Sequence, residues 1–307
     1  MTRLSYFCYT VSMRTKGQAL LLVLLGMAIT LTVVISILSR SVTDVSISSK
    51  EDEALRAFSA AEAGVEKALL TGVYTGGSLD GANYAGTAAG VASGALQYVY
   101  PNDIPSGESA AVWLVSHNSS GNLSCTSPLT CFRGTQMKVC WGDPSLPITP
   151  ALEVSIYYDT AQTGVSSQNF ASVRVARLAV DPATRTPSDY FDNTGIISGC
   201  TINDSSFAYY KIIDFTAAGL VPCYSTAGCL LNVRFRMHYN YSGTDVPQPL
   251  GVDVTGSGST LPGQGTLIQS TGTAGDSTRK VTVQKLFSQT PSIFDYGVFG
   301  LGGSLGK

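Results

Sequence analysis

The spacing of apolar positions changes twice along this chain, and each change marks a new element. Residues 19–38 form an apolar run without a charged residue. About twenty helical residues, rising ~1.5 Å each, cross a ~30 Å hydrocarbon layer. A soluble core helix would carry a polar stripe, whereas only Gly, Thr and Ser interrupt this run. Beyond it the sequence stays helix-compatible to about Leu70 and has no proline before Pro101. At about 100° per residue, Leu55, Phe58, Val65 and Leu69 share a face. One helix over 18–70, about 80 Å long, is therefore expected. Its first half spans a membrane and its amphipathic second half covers a sheet.

Particular residues refine that helix. Gly26 and Ala28 allow close helix approach, and Thr30, Thr32 and Ser36 can bond back to helix carbonyls or across to partners. Asp52 and Arg56 are four apart and suited to pair. Glu62 falls inside the apolar stripe. It is either a buried carboxylate needing a partner or an exposed acid at the stripe's edge.

From about residue 96 the period becomes two. Residues 71–94 are rich in Gly, Ala, Ser and Thr and read as a flexible link. Strands are predicted at 96–100, 111–116, 136–141, 153–158, 172–180, 207–215, 231–241, 250–254 and 279–287. In 231–241, Leu231, Val233, Phe235, Met237 and Tyr239 alternate with Arg234, Arg236 and His238. That pattern predicts a sheet with one wet face. Residues 255–276, rich in Gly, Ser and Thr, read as a mobile loop, and 300–307 as a frayed tail. The fold class is α+β: one long N-terminal helix packed on a predominantly antiparallel β domain. The divisions are 1–17, 18–70, 71–94 and 95–307.

Composition narrows the function. Charged residues make up 13% of the chain, about half the usual share, and net charge is −2. Without Arg3, Arg14 and Lys16 of the first 17 residues, which hold no acid, it moves to −5. No basic patch suited to nucleic acid follows. Arg14 and Lys16 precede the apolar run, while Glu51, Asp52 and Glu53 follow it at a distance. The positive-inside bias then puts the N-terminus in the cytoplasm and the β domain outside. A cleaved signal peptide fits poorly, because the run is too long and no Ala-x-Ala step closes it.

Cys8 lies in the first 17 residues. The remaining cysteines, Cys125, Cys131, Cys140, Cys200, Cys223 and Cys229, are even in number and exported in this reading. They suggest disulfides with 15 possible connectivities. Cys125–Cys131 and Cys223–Cys229 close short loops, leaving Cys140–Cys200. Zinc is the rival, disfavoured by C-x5-C spacing and by the isolation of His117 and His238.

The leader ending in Lys16-Gly17, the uncharged run from Gln18 and the string AFSAAEAGVEKAL over 57–69 together resemble type IV pilins. The string is similar to PilX-type pilus assembly proteins, which are minor pilins. The closing RKVTVQKLF and PSIFDYGVFG segments resemble the same proteins more loosely. The resemblance covers roughly residues 14–70. It implies cleavage between Gly17 and Gln18 by a prepilin peptidase, methylation of Gln18, and passage through an assembly platform into a filament of pilin subunits. Met13 as the start would shorten the leader to five residues. Major pilins carry a Glu five residues into the mature chain, where this sequence has Leu22. They begin with Phe or Met, where it has Gln18. Lack of the Glu suits a minor or tip-proximal subunit. Leu22, Gly26 and Glu62 are then the assembly-helix candidates.

No Walker loop, G-x-S-x-G, H-E-x-x-H or dinucleotide fingerprint occurs. No enzyme, cofactor or metal is expected. Asp189, Asp192 and Asn193 have calcium-compatible oxygens without EF-hand spacing, and a solvated turn is favoured. The tyrosine pairs 157/158, 209/210 and 239/241 offer an aromatic surface, half of which alternation sends into the core. Asn118, Asn122, Asn203 and Asn240 stand in short N-x-Ser sequons of low specificity. The expected function is filament assembly or adhesion. The alternatives are a membrane-anchored binding domain, for glycans among other ligands, and a type II secretion pseudopilin.

Overall fold

The computed structural model describes residues 18–217 and 220–292. The leader with Cys8, Met13 and Gly17, the PSIFDYGVFG match from 293 onward and the expected frayed tail lie outside the described residues. The chain divides into two units, one of residues 18–64, 76–85 and 270–281, the other of 65–75, 86–269 and 282–292.

Helix α1 runs unbroken over Gln18–Thr71. Among the described residues it alone is long and apolar enough to cross a membrane, and its apolar window is unburied. Thr30 and Thr32 donate to the carbonyls of Met27 (2.9 Å) and Ile29 (2.8 Å), as their positions suggested, so their hydroxyls need no water. Asp52 and Arg56 pair at 3.1 Å.

The strands follow as β1 (Gly77–Leu79), β2 (Ala82–Val91), β3 (Gln97–Val99), β4 (Ser109–Trp113), β5 (Ser116–His117), β6 (Leu123–Ser124), β7 (Gln136–Trp141) and β8 (Ala151–Asp159). After the single turn α2 (Thr163–Ser166) come β9 (Val173–Val180), β10 (Ile197–Ile202), β11 (Ser205–Asp214), β12 (Leu230–His238), β13 (Leu250–Asp253), β14 (Gly265–Ala274) and β15 (Ser277–Leu286). They form sheets in the orders β1-β2-β14-β15, β10-β11-β7-β13-β3, β4-β12-β8-β9 and β5-β6.

The expected stripe is buried at Val65, 5% exposed, and half-buried at Leu69, but in the first unit its large side chains are not the buried ones. Leu55 is 67% and Phe58 43% exposed, whereas Ala57, Ala60 and Ala61 are fully buried. The reason is close approach. A Cβ on Gly272 of β14 would stand 1.8 Å from the Ala57 carbonyl oxygen and 2.7 Å from the Ala61 nitrogen. Helix and strand therefore touch backbone to backbone, and only small residues at i, i+3 and i+4 allow it. Glu62 is exposed, the second of its two readings. Glu53 accepts from the Asp276 amide at 3.2 Å and so grips the β14–β15 turn.

Two loop assignments are corrected here. The expected link over 71–94 contains the β1–β2 hairpin, in which Leu79 pairs with Ala82 across Asp80 and Gly81. Both turn residues have positive φ, 48° and 77°, as the Asp-Gly hairpin turn requires. The expected mobile loop over 255–276 contains β14. Its small and β-branched residues suit a strand lying under a helix, so composition alone misled.

In the second unit the five- and four-stranded sheets face each other across one core. Met137, Val139 and Val252 from one meet Val112, Ile156, Val233 and Phe235 from the other. Strand β12 departs from its expected pattern twice. A bulge between Leu230 and Asn232 sends Leu231 to the outer face, where it packs with Val115, Leu123 and Cys131. Tyr239 ends up 43% exposed at φ 59°, beyond the strand. The outer face is also not wet, since Arg234 and Arg236 are only 5% and 6% exposed. Arg234 donates to Ser109 and Thr290, and Arg236 to the Gly107 carbonyl. Thr290, after β15, helps to cover Arg234. Two side chains seal the β4 edge: the outward amides of Ala111 and Trp113 donate to Gln289 (2.9 Å), after β15, and to Gln264 (2.8 Å), just before β14. Gln264 returns a bond to the Trp113 carbonyl at 2.8 Å.

On the five-stranded sheet Asp253 holds Lys138 at 2.7 Å. Burial pushes its carboxyl up, but bonds from Lys138, Thr255 and Gln97 outweigh this and hold it at about 2. A depressed folded value stabilises above the ordinary carboxyl range and loses that stabilisation as pH falls through the folded value. Between pH 4 and about 2, denaturant titrations are expected to show a loss of stability that Asp253→Asn makes smaller, the other depressed carboxyls keeping their share. At pH 7 that variant should cost about 1–3 kcal/mol.

Gly272→Val should lower stability by about 3 kcal/mol in thermal unfolding, because the added carbons have no room. Gly26→Ala, whose Cβ meets nothing within 4 Å, should fold as well as wild type.

Candidate functional site

Two surfaces stand out. The first is the apolar half of α1. Leu20 to Leu38 carry large apolar side chains that are 51–70% exposed, including Leu22 at 66%. Gly26 faces open space. Gln18 begins the helix, and Gly17 lies outside the described residues. So continuous an apolar surface needs lipid or protein to cover it. Leu22, Gly26 and Glu62 lie on one helix but form no common cluster: the first two belong to the lipid-compatible half and Glu62 to the outer half.

The cysteines are placed as the spacing suggested. Cys125–Cys131, Cys140–Cys200 and Cys223–Cys229 are bonded. Cys140 lies on β7 between the core residues Val139 and Trp141. Strand alternation therefore turns it to the opposite face, where it packs with Cys200, Ile202 and Phe207. Among the described residues no group of three or more His, Cys, Asp or Glu gathers. Two of the three calcium-compatible residues make local bonds. Asp192 binds Lys211 at 2.7 Å and Thr194, which hold its carboxyl at about 2. Asp189 accepts from the Phe191 amide. Asn240, one of the sequon residues, is fully buried and bonds the Ile104 and Val246 carbonyls.

The second surface is a cavity of about 540 Å³ on the outer face of the four-stranded sheet. Its position follows from register. Val233 sits between Val112 and Ile156 in the core, so the next row, Trp113–Asn232–Tyr157, faces outward. That row lines the cavity together with Leu231, Arg234, His117, Leu123, Phe170 and Phe287. His117 stacks on Phe287 at 4.0 Å between centroids and meets Trp113 edge-on at 4.5 Å. Burial pushes its imidazole down to about 4, so it is neutral at pH 7.

Phe170 is held out beside this row by a buried carboxylate. Asp159 accepts from the Gly164 amide (2.9 Å), the Ala161 amide (3.0 Å) and the Ser172 hydroxyl (2.7 Å). Burial raises its carboxyl, these bonds outweigh that, and it titrates below the usual range. Phe170 packs on Gly164, where a Cβ would stand 2.9 Å from the ring, yet stays 49% exposed.

Sequence reasoning singled out Tyr157 only as one of a pair and missed the cavity altogether. Alternation in 111–116 and 153–158 could have placed Trp113 and Tyr157 on one face, but their register was not legible. No family model, curated protein or solved structure matches the chain.

The cross-links differ in reach: Cys140–Cys200 joins residues 60 apart, the other two residues 6 apart. By loop entropy they contribute about 4 and about 2 kcal/mol. Paired Ala replacements measured by denaturant titration should rank in that order.

Proposed function

We propose that this chain is a minor type IV pilin-like subunit, which enters a filament or its tip complex through α1 and displays the β domain outside the cell. The observation that carries the reading is the continuity of α1. A simple anchor needs about twenty residues, whereas this helix continues for 54 residues. Its outer half packs against β14 at Gly272. The element that dissolves in lipid is thus also part of the folded head.

In this reading the exposed apolar surface faces lipid before export and neighbouring pilin helices afterwards. Prepilin peptidase cuts after Gly17, and the assembly platform extracts the subunit. The cytoplasmic orientation of the N-terminus rests on Arg14 and Lys16. Leu22, in place of the family's Glu, leaves this chain without the carboxylate that would neutralise a neighbour's N-terminal amine, so an abundant shaft position fits it less well. The disulfides suit an oxidising exterior. A type II secretion pseudopilin shares the same helix logic.

The outward cavity favours a second reading, a membrane-anchored extracellular binding domain that never enters a filament. Mass spectrometry of the N-terminus separates the two. A subunit recovered from sheared filaments should begin at methylated Gln18. An intact leader supports the simple anchor, and a chain starting beyond Leu38 rules out filament packing through this helix.

A further inference from the structure

We propose that the cavity on the outer face of the β4-β12-β8-β9 sheet binds a neutral sugar. The inference stands whether or not the chain enters a filament.

The lining sets three conditions on an occupant. It must have an apolar face, because aromatic rings border the floor and walls: Trp113, Tyr157, Phe170 and Phe287. It must also carry donors and acceptors. Trp113 Nε1, His117 Nδ1 and Asn232 Oδ1 are buried polar atoms without a hydrogen-bond partner. All three belong to residues that line this cavity. The indole nitrogen only donates, the amide oxygen only accepts, and a neutral imidazole nitrogen does either by tautomer. A purely apolar ligand would leave all three unmatched. Finally, the occupant must be uncharged. Among the described residues no carboxylate or lysine lines the cavity, and the one cation there, Arg234, is engaged by Ser109 and Thr290.

A pyranose meets these conditions together. Its axial C–H face lies against aromatic rings, and its hydroxyls donate and accept around the rim. The volume, about 540 Å³, falls in the range of small-molecule sites and has room for one or two rings. A peptide fits less well. Extended peptides bind by adding to a sheet edge, and on β4 the outward amides of Ala111 and Trp113 already belong to Gln289 and Gln264. The site is also built in advance. Phe170 is fixed by the Asp159 loop and Phe287 by its stack on His117, so little order is lost on binding.

The test uses the full chain in a zwitterionic detergent without a sugar headgroup. Glucose, galactose, N-acetylglucosamine and lactose are titrated, with tryptophan fluorescence and saturation-transfer NMR as readouts. Trp113 lines the cavity, while the other tryptophan, Trp141, is fully buried in the core. At least one sugar should saturate, with its ring protons receiving magnetisation. Phe170→Ala should weaken it about tenfold, and because that ring is half exposed the fold should survive. Trp113→Phe keeps a ring and removes the N–H, and should weaken binding several-fold. Three results overturn the proposal. One is no saturation by any of the four up to about 50 mM, far above a millimolar Kd. Another is saturation that both variants leave unchanged. The third is competition only by an apolar probe such as indole or by a peptide.

Discussion

Backbone can lie against backbone only where side chains are absent, and the first unit depends on one such contact. Gly272 lies under Ala57 and Ala61 with no space for another carbon. Along that contact the helix gives up its large apolar residues as packing groups. Leu55 and Phe58 stay outside, and the alanines do the burying. Dispersion rather than area holds such a contact, since Ala exposes little surface to lose but permits many atoms to come within van der Waals range. The Glu53 bond to the Asp276 amide fixes the turn of the strand beneath and so sets the position of Gly272 along the helix.

The second unit meets a different requirement. Its four-stranded sheet buries one face in the core and carries arginines on the other. Those cations are satisfied by hydroxyl and carbonyl oxygens, as buried polar groups must be. Covering them leaves the row Trp113–Asn232–Tyr157 as the sheet's open outer surface. The same chain segment that hides the guanidinium of Arg234 also contributes Phe287 to the aromatic wall. Sheet coverage and cavity formation are thus one arrangement.

What was legible in the sequence was what depends on local pattern. Continuous hydropathy marked α1, and alternation located β7 at Gln136–Trp141 and most strands of both large sheets. Cysteine spacing gave the pairing that the structure has. Size-weighted hydrophobicity failed where packing used small residues. Ala57, Ala60 and Ala61 carry a helical period that a search for Leu and Phe passes over. Glycine-rich composition concealed β2 and β14, although Asp80-Gly81 and Gly275-Asp276 are turn signals in plain view. The cavity was illegible for another reason: its residues come from six strands and three connecting segments, and only register brings them together.

The glutamine seal on β4 has a consequence for crowding. Sheet-rich domains tethered to a membrane meet at high local concentration. An unpaired strand margin is then a template for runaway sheet growth. Many proteins deter this with lysine, whose charge also alters what the surface attracts. Here neutral amides occupy the β4 margin: Gln264 bonds both an amide and a carbonyl of Trp113, and Gln289 takes the amide of Ala111. Edge-to-edge pairing between copies is thereby disfavoured at that margin without adding charge to an already sparsely charged molecule.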